Sequence, residues 1–226
     1  KLEGYLNTQY LDAWLDNERF ARFDGYQSAV VVENTKRIKR LTTESHTISV
    51  LVRPEQNPTQ NPIYLVGDKN KKYVEYPIFS IPGYDYGINF NNSRALSFQF
   101  WTDRTNHNYM WANKYESQWT WITVTVDDEG KVTRLYLNGD EVTDKDGRGS
   151  KSPMKYEGRL RNYGNKHWYL GSSPTSPDQP SRFFKGDVSK FYFWNRPLSS
   201  EEVKTLHEDL PREGLKVDVD FNNVEF

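Results

Sequence analysis

The chain has no cysteine in 226 residues. That excludes a disulfide framework, a thiolate metal site and a cysteine nucleophile, and it fits the exterior of a bacterium or virus. Apolar material is scarce too, with hydrophobic residues at 35% of the chain. No apolar run is long enough to cross a bilayer, so membrane insertion is not expected. Charge of one sign is also missing, because 30 Lys and Arg stand against 31 Asp and Glu. This balance gives no general attraction to nucleic acid, whose binding needs clustered positive charge. No stretch at the start resembles a signal peptide. The first residue is Lys1 rather than Met, which leads us to expect a processed chain or an excised fragment. Composition does not shift along the sequence, so residues 1–226 are read as one domain.

Aromatic residues are plentiful at 15%, with 7 Trp and 15 Tyr. Since aliphatic side chains are few, many rings must be core, and the remainder are available to stack on ligands. The most legible segment begins at Trp119. Ile122, Val124 and Val126 alternate with Trp121, Thr123 and Thr125, the two-residue period of a strand with one apolar face. Asp127, Asp128, Glu129 and Gly130 supply a turn, with Gly130 free to take positive φ. A second strand follows through Leu137, and Asn138-Gly139 marks a type I′ hairpin turn.

Similar short segments recur along the chain. Candidate strands are 20–23, 29–32, 47–52, 63–66, 76–81, 86–90, 96–101, 168–171 and 188–194. Proline-rich loops interrupt them around Pro58 and Pro177, where a ladder donor is missing. One helix is expected over Ser199–Leu210. Ser199 and Glu202 form a capping box, Val203, Leu206 and Leu210 form an apolar stripe, and Pro211 ends it. Many short strands with one helix predict an all-β, two-sheet antiparallel sandwich.

Several of these segments resemble the laminin-G-like modules of the concanavalin A-like lectin/glucanase superfamily. Arg22-Phe23-Asp24-Gly25 is similar to the family's Phe-Asp-Gly turn, and His46 to Pro54 to its Thr-Ile-Ser strand. Trp119 to Val124 and Leu135 to Gly139 are similar to its central hairpin. Phe184 to Val188 with Asn195 to Val203 is similar to its late strand and short helix. The order of these pieces matches across about Arg22 to Leu210. The resemblance implies a jelly roll with one concave sheet and, in many relatives, a structural calcium. Asp24 is the metal candidate it offers. The family's acidic pair, which follows the Gly-x-Ile of its late strand, is replaced here by Ser189 and Lys190, which implies that this chain does without the ion. The family's opening Gly-Leu strand is not found before Phe20, but Gly214 to Asn222 is similar to it. We therefore expect residues 215–221 either to close the sandwich or to begin a following domain.

Catalytic patterns are weak. Glu141-Val142-Thr143-Asp144-Lys145-Asp146 lacks the spacing that would place a nucleophile and an acid on either side of one glycosidic bond. His46, His107, His167 and His207 have no metal-ligand spacing and read as surface or packing residues. Asp144-Lys145-Asp146-Gly147 has alternate carboxylates before a glycine, but lacks the Glu that completes a calcium loop. Gly147-Arg148-Gly149-Ser150 lacks the strand and helix of a phosphate loop. We expect no enzyme activity.

For glycan binding the candidates are Tyr84, Tyr86, Trp101, Asp103, Arg104, Asn106, Tyr109 and Trp111. They combine ring faces for C–H surfaces with polar groups for hydroxyls in segments read as irregular. Lys36, Arg37, Lys39 and Arg40, with Lys69, Lys71 and Lys72, read as a solvated loop or a patch for acidic glycan. The expected function is a non-catalytic, lectin-like, carbohydrate-binding module of a larger extracellular or cell-surface protein. Its partners would be glycan or cell-surface polysaccharide, and other domains of the same protein. The alternative is a structural or protein-interaction module of a virion or cell-surface assembly.

Overall fold

A computed structural model describes residues 2–5, 19–25, 28–32, 40–55, 75–81, 86–91, 96–104, 108–112, 118–143, 152–164, 166–173 and 182–223. In chain order the strands are β1 (Leu2–Tyr5), β2 (Ala21–Asp24), β3 (Ala29–Val32), β4 (His46–Pro54), β5 (Glu75–Ile81) and β6 (Tyr86–Asn91). Next come β7 (Leu96–Phe100), β8 (Asn108–Ala112), β9 (Thr120–Asp127), β10 (Val132–Leu137), β11 (Asp140–Glu141) and β12 (Met154–Lys155). The chain continues with β13 (Trp168–Leu170), β14 (Ser172–Ser173), β15 (Arg182–Phe183) and β16 (Lys185–Trp194). Helix α1 (Ser200–Lys204) and strand β17 (Leu215–Asp220) follow.

Two sheets carry the architecture. One runs β1-β3-β13-β5-β6-β7-β8; the other runs β11-β10-β9-β4-β16-β17, with β2 also pairing β16 and β12 pairing β10. The strands pair antiparallel throughout, giving the expected jelly-roll sandwich. The C-terminal strand β17 lies on the edge of the second sheet beside β16.

The core explains how a chain poor in aliphatics folds. Rings meet from opposite sheets: Phe79 lies 4.9 Å from Phe191, and Trp168 lies 4.8 Å from Phe193. Ile48, Val50, Ile122 and Val124 fill the space beside them, all fully buried. Such rings each remove a large apolar area from water. A second, smaller cluster lies on the other face of the second sheet, where Val203, Leu206 and Leu198 cover Tyr136, Tyr192 and Trp194.

Several expectations shift in detail. Helix α1 ends at Lys204, and residues 205–208 form turns, so the helix is shorter than the apolar stripe implied. Its capping box is present in both directions between Ser199 and Glu202. The Asn138-Gly139 turn has the positive φ angles expected, 50° and 88°. In the preceding turn it is Lys131, with φ 51°, that adopts the left-handed conformation instead of Gly130. Residues 108–112, read as irregular, form strand β8, and the candidate strand at 63–66 lies outside the described residues.

Candidate functional site

Strand β7 ends at Phe100, and the next residues pair with a distant stretch of chain. Asp103 N–H donates to the Arg159 carbonyl and Arg161 N–H to the Trp101 carbonyl, each at 3.0 Å. Thr102 and Leu160 form the antiparallel bridge between them. This short ladder orients four side chains. The Asp103 carboxylate accepts from both the amide and the Nε of Arg159, at 2.9 and 3.1 Å. The Arg161 guanidinium lies 4.7 Å from the centre of the Trp101 ring, a cation–π placement.

These residues line an open cleft of about 940 Å³, closed elsewhere by Arg40, Thr43, Glu44, Asp128 and Asn162. Arg40, Thr43 and Glu44 come from a 3₁₀ turn at Leu41–Thr43 just ahead of β4. Hydrogen bonds from the Arg159 amide and then from its side chain hold the Asp103 carboxyl below its ordinary pKa. Asp128 accepts from Lys131 Nζ at 2.7 Å and from the Tyr156 hydroxyl at 2.8 Å. Burial, reinforced by this bond to Asp128, raises the Tyr156 phenol far above its usual range.

Aromatic packing supports the cleft from below. The Trp101 main-chain N–H donates to the Tyr163 hydroxyl at 3.3 Å, and the Tyr163 ring stands edge-on to Tyr86 with centroids 5.5 Å apart. The Tyr86 hydroxyl bonds His46 Nε2, while Nδ1 of His46 meets the Glu44 carbonyl at 2.6 Å. Total burial depresses the His46 pKa to about 4.

Of the sequence candidates, the structure brings Trp101 and Asp103 into this one cleft. Arg104 is exposed and approaches Glu157 at 3.8 Å. Tyr86 is corrected: at 1% exposure it is a core residue, because its ring packs among Phe79, Phe98 and Tyr163. Tyr109 and Trp111 belong to β8, in register opposite Gln99 and Ser97. Tyr84 and Asn106 lie outside the described residues, as do Lys36, Arg37, Lys39, Lys69, Lys71, Lys72 and the 144–150 loop. The residues that sequence reasoning missed are Arg159 and Arg161. Their alternation around buried Leu160 was the available signal for a short exposed strand.

Asp24, the metal candidate, is engaged with its own turn. Its Oδ1 accepts from Ser28 N–H at 3.2 Å, closing a turn, and no group of three or more His, Asp or Glu side chains gathers among the described residues. Ser189, where the family's acidic pair would begin, is buried at a bulge between Val188 and Lys190. Glu141, from the acidic string, is engaged by Arg134 and Ser152.

A laminin-G-type family model, described as concanavalin A-like lectin/glucanases superfamily, matches residues 24–204. No curated protein sequence matches the chain. Among solved structures, a Bacteroides ovatus protein named for carbohydrate binding is similar at 14% identity and a TM-score of 0.60, over 92% of this chain and 53% of that one. The binding domain of Paraclostridial Mosquitocidal Protein 1 is similar at 18% identity and a TM-score of 0.58, over 91% and 45%. Trypanosoma rangeli sialidase in complex with sialic acid is similar at 15% identity and a TM-score of 0.55, over 84% and 28%. At these identities the likeness is one of fold. The chain spans about a quarter to a half of the length of these structures.

Proposed function

The chain belongs to the concanavalin A-like lectin/glucanase superfamily, and on that premise we propose that it is a non-catalytic carbohydrate-binding module of a larger extracellular protein. It would hold that protein to glycan at a surface. The observation that carries this reading is the cleft built on Trp101, with polar groups fixed around a ring. A volume of about 940 Å³ is ample for one or two sugar units. Asp103 fixes the Arg159 main chain through its amide and tethers the side chain at Nε, which limits the freedom lost on binding and favours affinity. The names of two structural neighbours, one for carbohydrate binding and one a toxin binding domain, agree with a binding role.

Two of the cleft's three carboxylates, Asp103 and Asp128, also favour binding over bond cleavage. Two-carboxylate glycoside hydrolysis requires one carboxyl kept protonated near neutral pH, whereas Arg159 draws Asp103 in the opposite direction. Asp128 is engaged by Lys131 and Tyr156.

A glycan array of the domain tests the proposal. Binding that disappears in Trp101→Ala, with melting temperature kept within a few degrees, is the expected outcome. An array silent for every glycan, with capture of one partner protein instead, would replace this reading with the protein-interaction alternative. Polysaccharide turnover by the isolated domain would replace it with an enzyme.

A further inference from the structure

The side chains that line the cleft narrow the class of sugar it takes, on the footing of the carbohydrate reading above. Three guanidinium groups face it: Arg40, Arg159 and Arg161. Its carboxylates are Glu44, Asp103 and Asp128, but Asp128 is met by Lys131 at 2.7 Å. Counting Lys131, one positive charge is left in excess.

The geometry of Arg159 is more specific than the charge. Asp103 takes its main-chain amide and its Nε, so the guanidinium is gripped on its inner edge. The Nη1 and Nη2 edge carries no partner among the described residues, and the side chain is 89% exposed. That outer edge has the planar, two-donor shape that pairs with a carboxylate through parallel hydrogen bonds. Asp103 therefore acts as a positioning residue for Arg159. Trp101 does the same for Arg161, holding its guanidinium 4.7 Å from the ring centre.

We infer that the cleft receives a carboxylate-bearing sugar, with its carboxylate on the outer edge of Arg159 and its ring beside Trp101 and Arg161. Uronic acids and sialic acids share this chemistry, and the test separates them.

Titration calorimetry on the whole domain compares four probes: a glucuronic-acid-terminated oligosaccharide, sialyllactose, lactose and sulfated lactose. At least one carboxylated probe is expected to bind about tenfold or more tighter than lactose, the scale of a charge-assisted hydrogen bond. That preference should fall at high salt. Arg159→Gln is expected to abolish it, and Asp103→Asn to weaken it at unchanged melting temperature. Arg212→Gln, at an ion pair with Asp218 away from the cleft, should leave it intact. Lactose bound as tightly as the acidic probes would overturn the inference while leaving the carbohydrate reading standing. So would sulfated lactose bound most tightly, or an Arg159→Gln protein with its preference unchanged. Binding to none of the four, with a silent array, would overturn both.

Discussion

Arg53 donates to Asp187 from Nη2 at 2.7 Å and from Nε at 3.0 Å, joining adjacent strands β4 and β16. Arg22, on the opposite neighbour β2, donates to the same carboxylate at 2.8 and 3.2 Å. The Asp187 side chain is only 4% exposed, and the Arg53 guanidinium also packs against both Phe20 and Trp119, at 5.3 and 5.0 Å from their ring centres. Removing Asp187 would strand a largely buried cation. We expect Asp187→Ala to cost about 3–5 kcal/mol. Arg22, whose side chain is 46% exposed, should cost about 1 kcal/mol or less when replaced by Ala, because solvent screens it. Urea titration of both variants measures the difference; equal losses would refute this account of the triad.

Acid should destabilise the fold in two stages. His46 is neutral and buried, with a folded pKa of about 4 against 6.5 when unfolded. Between those values only the unfolded chain takes the proton, so stability falls as pH drops through that window, by roughly 3 kcal/mol in all. Glu202 is drawn from 4.5 to about 2, first by Arg196. Its contribution is present above 4.5 and fades as pH falls toward 2, and its part-exposed setting makes it smaller. Denaturation of the wild type and His46→Gln at pH 7, 5.5 and 4.5 tests this. Parallel curves would rule out His46 as the source.

Gly171 is fixed by a close approach. A Cβ there would lie 2.0 Å from Cδ1 of Phe23, and the residue's φ is +77°. Gly171→Ala must displace a buried ring and strain the backbone, which together should cost about 3 kcal/mol or more. Thermal melting checks it.

Calcium should have little effect. Asp24 closes its own turn onto Ser28, so millimolar calcium or chelator is expected to move the melting temperature by less than about 1 °C. A larger rise with calcium would reveal a specific ion.

Much of the sandwich was legible from local patterns. The alternation at 122–126 and the Asn138-Gly139 turn encode their conformations within a few residues, and β9, β10 and β11 follow from them. Strand β8 was not legible, because polar residues around Tyr109 and Trp111 hide the two-residue period; its conformation depends on pairing with β7. The cleft was half legible. Trp101 and Asp103 stood out as a ring beside an acid, but their partners Arg159 and Arg161, on an alternation only three residues long, are brought to them by a tertiary ladder. Tyr86 misled for the complementary reason: a polar ring beside a loop signal looks exposed until a buried histidine, His46, is found to accommodate its hydroxyl.

The ladder joining Asp103 to Arg159 spans a sequence separation of 56 residues. The cleft is therefore assembled only when the chain has brought these two segments together, and a peptide holding one of them alone lacks it. A saccharide seated across it would act as a clasp between remote segments, so occupancy should slow local opening on both sides together, readable as matched hydrogen-exchange protection at Asp103 and Arg161.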